Sequence, residues 1–148
     1  MATDGVEHVL RVSARPESLA RVHELLTGLW ADDEMPAADR MHFDTAVAEV
    51  AANIVEHATR GQDVTLVLRV SGWPDRVEAR FEDDGAEADV DLTQVSMPEP
   101  GDPDDLGAVL ALAEDGPRLA LARAAVDELV YEREGTTNRW YLVRRRVR

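Results

Sequence analysis

A pair of alternating apolar segments limits the folds open to this chain more than any other feature. Apolar side chains occupy every second position in both: Val64, Leu66, Leu68 and Val70, then Val77, Ala79 and Phe81. This period of two is typical of half-buried β-strands, because successive side chains of a strand point to opposite faces of the sheet. Residues 71–75 contain Gly72 and Pro74, which favour a turn. We therefore predict a β-hairpin with one apolar face.

Two helices are predicted before this hairpin. Pro16 and Pro36 open them, since proline suits the first turn of a helix, and Gly61 ends the second. Apolar residues recur at helical spacing in both segments. They are Leu19, Val22, Leu25, Leu26 and Leu29 in the first helix, and Phe43, Val47, Val50, Ile54 and Ala58 in the second. Each helix therefore has one apolar face.

Further strands and one more helix complete the predicted fold. We expect a strand at 8–14, a helix at 118–128, and strands at 129–134 and 139–146 with a turn at 135–138. Antiparallel strand pairs with helices on one side form an α+β two-layer sandwich. We expect one domain over residues 1–148, a size that suits a single domain. Its helices would pack on one face of a mixed, mainly antiparallel sheet.

The segment from about residue 86 to 116 differs from the rest of the chain. It is acidic, rich in proline and glycine, and contains one short apolar stretch at 106–113 that we expect to be helical. A long irregular connection inside a compact domain often serves as an active-site lid. We interpret the segment as a lid, and an ordinary surface loop is the alternative.

Charge and composition exclude several classes of function. The formal net charge of −14 repels phosphate backbones, which argues against nucleic-acid binding. Cysteine is absent, which excludes disulfides and thiolate sites. No apolar run is long enough to span a membrane, so we expect a cytoplasmic protein. The C-terminal arginines Arg144, Arg145, Arg146 and Arg148 form either a solvated strand end or a docking patch for an acidic protein, and composition alone does not separate these two.

Glu49 and Asn53 are the first candidates for a functional site. They are four residues apart in the second predicted helix, which places them on the same face, one turn apart. Both lie at the border of the apolar stripe. A carboxylate there is suited to general-base work and a carboxamide oxygen to Mg²⁺. The same spacing is also common on a solvated helix face.

Two glycine-containing segments are the next candidates. Asp83 and Gly85 end the second strand of the hairpin, where a carboxylate lies beside a backbone that turns sharply. Gly116 to Leu119 leads into the third predicted helix. The first turn of a helix offers free N–H groups, which bind phosphate. Taken singly, each segment is only a turn or loop signal.

The order and spacing of these segments resemble the GHKL nucleotide-binding superfamily, in its small bacterial branch of anti-sigma-factor serine/threonine kinases. Residues 46–58 (AVAEVAANIVEHA) resemble its N box, residues 83–85 (DDG) its G1 box, and residues 116–121 (GPRLAL) its G2 box. Residues 127–144 follow its closing strand–turn–strand pattern. The resemblance covers nearly the whole chain from His8 and implies the Bergerat ATPase fold.

The resemblance implies a role for each candidate. Glu49 would be the catalytic base, Asn53 would hold Mg²⁺, and Asp83 would accept a hydrogen bond from the amino group of adenine. The other nucleotide-binding candidates are Gly85, Gly116, Arg118, Leu119 and Thr136, with Thr137 as an alternative to Thr136. Simple turn chemistry explains the two threonines equally well. We interpret His57, which also matches the pattern, as a packed histidine.

Three positions depart from the family's pattern. Glu87 stands where histidine-kinase relatives have a second glycine, which the anti-sigma branch often lacks. Arg118 replaces the second glycine of the G2 box, and Pro117 removes one backbone N–H. A side chain at 118 narrows the allowed backbone angles, whereas its guanidinium is also a suitable phosphate donor.

The function implied by the resemblance is that of a kinase that uses ATP and Mg²⁺. Such relatives bind a sigma factor and phosphorylate a serine on a STAS-domain anti-anti-sigma factor. They are commonly homodimers, although no feature of this sequence locates an interface. The departures at 117 and 118 motivate an alternative, a binding module that regulates a partner without phosphoryl transfer. The catalytic part of a sensor histidine kinase is a third interpretation, which the lack of a phosphoacceptor helical hairpin in the sequence disfavours.

Overall fold

The computed structural model describes residues 5–58, 62–87 and 118–146. Within these ranges the elements, in chain order, are β1 (Val6–Ser13), α1 (Ser18–Asp32), α2 (Ala37–Asn53), a π-helical turn (Ile54–Ala58), β2 (Thr65–Trp73), β3 (Arg76–Asp83), α3 (Arg118–Ala125), β4 (Glu128–Glu134) and β5 (Thr137–Arg145). The predicted helix at 106–113, nearly all of the predicted lid and Gly116 lie outside the described residues.

The five described strands form one sheet in the order β1-β2-β3-β5-β4. All four pairings between them are antiparallel, so the part of the sheet that is described has no parallel component. The predicted hairpin is β2 and β3. The predicted α+β two-layer fold is confirmed.

The helices cover one face of this sheet. α1 packs on β1 and β2, α2 packs between α1 and α3 and touches β5, and α3 lies against β4. The apolar stripe of α2, including Phe43, Val47 and Val50, is fully buried. On the sheet, Leu68 and Phe81 lie side by side in register and are equally buried. Described residues of all three helices and all five strands contribute to one continuous hydrophobic cluster.

Several element boundaries differ from those predicted. β2 continues to Trp73 because Gly72 pairs with Val6 of β1, so the hairpin turn is confined to residues 74 and 75. α2 ends at Asn53 and continues as the π-helical turn, whereas one helix to Gly61 was expected. α3 ends at Ala125, three residues early, because the N–H of Asp127 already donates to the carbonyl of Val143 on β5.

Two of the C-terminal arginines form ion pairs inside the fold. Arg144 forms an ion pair of 2.7 Å with Asp39 in the first turn of α2, and Arg146 pairs with Asp33 at the end of α1. Arg145 is exposed, and Arg148 lies outside the described residues. Two of the four arginines therefore join the last strand to the helical layer instead of facing a partner.

No helix in the described ranges combines the length and the apolar character needed to cross a membrane.

Candidate functional site

The C-terminal end of α2 and the C-terminal end of β3 lie at the same end of the molecule. Asp39, near the start of α2, contacts Arg144 near the end of β5. From there α2 rises about 21 Å to Asn53, which matches the roughly 20 Å that β5 covers between Arg144 and Asn138. The chain then enters β2 at Thr65. The N–H of Thr65 donates a hydrogen bond of 2.8 Å to the side chain of Asp84, which directly follows β3. Asn53 and Asp83 are thus placed at one edge of the two layers.

Asn53 is the last residue of α2, and its side chain is buried, with 8% exposure. Glu49 lies one turn earlier on the same face and is half-buried. The helix changes to π-helical hydrogen bonding directly after Asn53, and such local widening is frequent at functional sites. The side chain of His57, in this turn, lies outside the described part of the chain. The structure therefore presents a carboxylate and a carboxamide, one turn apart, where α2 ends.

Polar side chains interrupt the apolar interior of the sheet at the same end. Partners in an antiparallel ladder share a face, so one row of the helix-covered face runs through Val12, Leu66, Asp83, Asn138 and Arg133. The neighbouring row is apolar and aromatic: Leu10, Leu68, Phe81, Trp140 and Tyr131. The last three members of the first row are called the polar row below.

One side-chain oxygen of Asp83 is hydrogen-bonded within the protein, and the other has no partner among the described residues. Its side chain lies at the end of β3 and is only 3% exposed. Oδ1 accepts hydrogen bonds from Nδ2 of Asn138 at 2.8 Å and from the N–H of Gly85 at 3.0 Å. Oδ2 is buried and has no hydrogen-bond partner among the described residues. Since buried polar atoms are rarely left unpaired, Oδ2 is the atom most suited to receive a donor from a ligand.

Burial raises the pKa of Asp83 above the ordinary aspartate value, because removal from water disfavours the charged form. The hydrogen bonds from Asn138 and Gly85 act in the opposite direction, and the nearby Asp84 adds a smaller increase. The site therefore holds a carboxyl group in a poorly solvated place, where a hydrogen bond to Oδ2 is stronger than it would be in water.

Asn138 is the functional candidate that the sequence analysis missed. It is 1% exposed, and its Nδ2 also reaches the carbonyl oxygens of Gly85, at 3.3 Å, and Ala86, at 2.8 Å. The predicted turn at 135–138 had placed it outside the strand, whereas β5 begins at Thr137. A signal was present: counting back by twos from Leu142 and Trp140 reaches Asn138, which places a polar residue on the buried face.

Arg133 completes the polar row and stabilises the turn after Asp83. Its Nη1 donates to Oδ1 of Asn138 at 2.9 Å and to the carbonyl of Gly85 at 3.1 Å. The hydroxyl of Tyr131 also donates to Oδ1 of Asn138. Three side chains from β4 and β5 thus hold the Asp-Asp-Gly turn of β3 in place.

The remaining predicted site residues are not all brought to this turn. Thr136 is exposed in the β4–β5 turn, which contains Gly135 at a φ of 60°. The position opposite Asp83 belongs to Asn138 and not to Thr136 or Thr137. Gly85 is buried and bonded to Asp83 as described above.

The predicted phosphate loop is described only at its end. Arg118 opens α3, but its side chain lies outside the described part of the chain, as does Gly116. Leu119 is 1% exposed and belongs to the hydrophobic core, so its side chain does not face a ligand. Any contribution of Leu119 to phosphate binding would come from its N–H in the first turn of α3, where N–H groups lack helical partners.

The arrangement fits a bound adenine nucleotide with Mg²⁺. The amino group of adenine is a donor, which Oδ2 of Asp83 needs. Mg²⁺ commonly takes one or two protein oxygens and completes its shell with phosphates and water, so a single carboxamide such as Asn53 suffices.

A separate groove of about 430 Å³ lies on the other face of the sheet, between β3, β5 and β4. Arg80, Val130, Arg139 and Tyr141 contribute to its walls, and none of the predicted site residues does. The groove is therefore not the site described above.

The chain matches a known protein family. The family that describes the histidine kinase-like ATPase domain matches residues 12–143. The match extends from β1 to β5 and includes Glu49, Asn53, Asp83 and Asn138. It supports ATP binding, together with the Mg²⁺ that such domains use in general. Among curated proteins, none matches this chain significantly.

Proposed function

Because this chain belongs to the histidine kinase-like ATPase family, we propose that it is a cytoplasmic anti-sigma regulatory factor with serine kinase activity. Its proposed partners are a sigma factor, which it binds, and a STAS-domain anti-anti-sigma factor, which it phosphorylates. The family supports ATP binding. The regulatory role and both partners go beyond the family, and their support is the resemblance of residues 46–58, 83–85 and 127–144 to the anti-sigma branch.

One observation carries the nucleotide-binding part of the proposal: the buried Oδ2 of Asp83 has no partner among the described residues. A buried acceptor left unpaired costs roughly 1–3 kcal/mol, so a ligand donor that reaches it is favoured. The 6-amino group of adenine is such a donor. Gly85 lies at the same turn and has no side chain to obstruct a flat base.

The proposed chemistry uses the end of α2. When bound, Mg²⁺-ATP supplies the phosphoryl group, with its charge neutralised by the metal. Asn53 would bind the metal through its carboxamide oxygen, and Glu49 would accept the proton of the attacking serine hydroxyl. Residues four apart on a helix have Cβ atoms about 5–6 Å apart. The helix itself therefore keeps the proposed base and the proposed metal ligand close to each other.

The alternative of a binding module without kinase activity rests on Pro117 and Arg118, which weaken the predicted phosphate loop. Both proposals share the fold and the binding of a protein partner, and they differ in phosphoryl transfer. An assay of transfer therefore separates them more clearly than an assay of binding does.

The experiment is a phosphorylation assay with radiolabelled ATP, Mg²⁺ and purified STAS-domain proteins from the same genome. We expect label on one STAS-domain protein, and none on its variant with the acceptor serine replaced by alanine. ATP binding without transfer to any STAS-domain protein would favour the binding module. Label on this chain's own histidines would instead indicate a histidine kinase.

A further inference from the structure

We infer that Asn138 is a positioning residue that makes the site choose 6-amino purines over 6-oxo purines, by presenting Oδ2 of Asp83 to the base. The inference rests on the proposed role of Asp83 in nucleotide binding. It adds a specificity determinant from β5 to a site whose other candidates lie on α2, β3 and α3.

The two side-chain oxygens of Asp83 have different surroundings. A free carboxylate has equivalent oxygens, and either can face a ligand. Here Oδ1 accepts two N–H groups, from Asn138 at 2.8 Å and from Gly85 at 3.0 Å. Oδ1 is therefore held as an acceptor inside the protein. Oδ2, which is buried without a described partner, is the oxygen left for the ligand.

The hydrogen bonds of Asn138 fix the orientation of its carboxamide. A carboxamide can be turned over, which exchanges its donor and its acceptor. Arg133 and Tyr131 both donate to the Oδ1 atom of Asn138. Nδ2 is surrounded by acceptors only: Oδ1 of Asp83 and the carbonyls of Gly85 and Ala86. The turned-over amide would place its oxygen against those three acceptors, so only one orientation satisfies all partners.

The group at position 6 of the purine decides whether Oδ2 of Asp83 finds a hydrogen-bond donor. Adenine carries an amino donor at position 6, which pairs with the acceptor Oδ2. Hypoxanthine and guanine carry a carbonyl oxygen there, which would face Oδ2 as a second acceptor and leave both unpaired. Sites that hydrogen-bond one group strongly reject an analogue lacking it, because their buried polar atoms are then unsatisfied.

The variant Asp83→Asn keeps nearly the same side-chain shape but replaces one oxygen by an NH₂ group. Asn138 and the N–H of Gly85 require an oxygen at the inner position, so the new amide nitrogen would point toward the base. The site would then offer a donor and prefer the 6-oxo base. Without Asn138, only the N–H of Gly85 would favour this orientation of the residue-83 amide, so the preference for the 6-oxo base would weaken.

The experiment is calorimetric titration of the full chain with ATP and with ITP, whose bases differ at position 6 and in the proton on N1. Four proteins are compared: the natural chain, Asp83→Asn, Asn138→Ala, and the double variant. We expect the natural chain to prefer ATP by at least about tenfold, the scale of one hydrogen bond to a charged group. Asp83→Asn should prefer ITP, while both variants lacking Asn138 should discriminate several-fold less than their parents.

An ATP/ITP ratio unaffected by Asn138→Ala, or an ITP preference as strong in the double variant as in Asp83→Asn, would overturn the inference. If Asn138→Ala does not fold, the pair Arg133→Met and Tyr131→Phe removes the donors that orient the amide, and an unchanged ratio in that protein would overturn it equally. The variant Asp83→Ala tests the proposed role of Asp83 separately from the inferred role of Asn138. Unchanged ATP affinity in Asp83→Ala contradicts the proposed role of Asp83, whereas a loss of affinity leaves the test of Asn138 intact.

Discussion

Gly72 on β2 leaves the space that the carboxylate of Asp33 occupies. A Cβ atom added at Gly72 would lie 1.8 Å from Oδ2 of Asp33 and 3.4 Å from Nη2 of Arg146. Asp33 follows α1, and its Oδ2 accepts a hydrogen bond from Arg146 just beyond β5. Because residue 72 has no side chain, the ion pair between Asp33, after α1, and Arg146, after β5, can lie against the sheet.

Gly72→Ala should therefore destabilise the protein by about 1–3 kcal/mol, because the ion pair must move or the strand must shift. Urea unfolding measures the loss as a lower midpoint. Gly28→Ala is the matched control: it lies inside α1, where its Cβ would be 3.4 Å from the His8 ring. Alanine favours a helix over glycine by up to about 1 kcal/mol, so this variant should be neutral or more stable. Equal losses in both would contradict the steric explanation.

Arg144→Lys should cost about 1–3 kcal/mol of stability, because lysine does not replace a planar, multiply bonded guanidinium. Arg144 donates to Asp39 through Nε at 3.1 Å and Nη2 at 2.7 Å, and through Nη1 to the carbonyl of Ala125 at 2.9 Å. It thereby joins β5 to α2 and α3. The control is Arg145→Lys, whose side chain is 71% exposed. A loss as small as that of the control would show that these contacts contribute little.

Asn53→Ala and Glu49→Gln should separate metal binding from catalysis. Removing the carboxamide should abolish the Mg²⁺-dependent part of the ATP affinity, whereas Glu49→Gln should leave it unchanged. Glu49→Gln should instead lower the rate of phosphoryl transfer by about 10²–10⁴-fold, the usual contribution of a general base. Titrations with and without Mg²⁺, and single-turnover transfer assays, measure the two effects. Retained transfer in Glu49→Gln would rule out its role as the base.

The raised pKa of Asp83 predicts how its replacement changes stability with pH. The folded state binds the proton of Asp83 more tightly than the unfolded state, so this group favours folding at acid pH. The contribution is lost as the pH rises through the raised pKa. Asp83→Asn does not titrate, so its stability relative to the natural chain should be greater at pH 7 than at pH 4. Urea unfolding of both proteins at the two values tests this, and a difference independent of pH would contradict the burial of an ionised Asp83.

The sequence was enough to predict those strands and helices that have a local apolar periodicity. Alternation in Val64–Val70 and in Val77–Phe81 was enough to identify β2 and β3, and helical spacing was enough for α1 and α2. The boundaries were less accurate where a distant strand decides them. Gly72 looked like part of a turn, yet its pairing with Val6 extends β2.

The contacts within the polar row could not be predicted, because they depend on which strands are neighbours. Asp83 was identified from its own segment, but nothing local shows that β5, and not β4, lies next to β3. The alternation in β5 signals that Asn138 is buried, but it does not show that Asp83 is its partner. The C-terminal arginines gave the same difficulty: Arg144 finds Asp39, which is 105 positions away in the sequence. Partners at such separation are set by the topology of the sheet and not by spacing along the chain.

The most direct measurement is calorimetric titration of the natural chain and of Asp83→Ala with ATP, each with and without Mg²⁺. We expect micromolar, Mg²⁺-dependent binding by the natural chain and a loss of at least about tenfold in affinity when the carboxylate is removed. No heat and no thermal stabilisation of the natural chain at millimolar ATP would contradict nucleotide binding at this site.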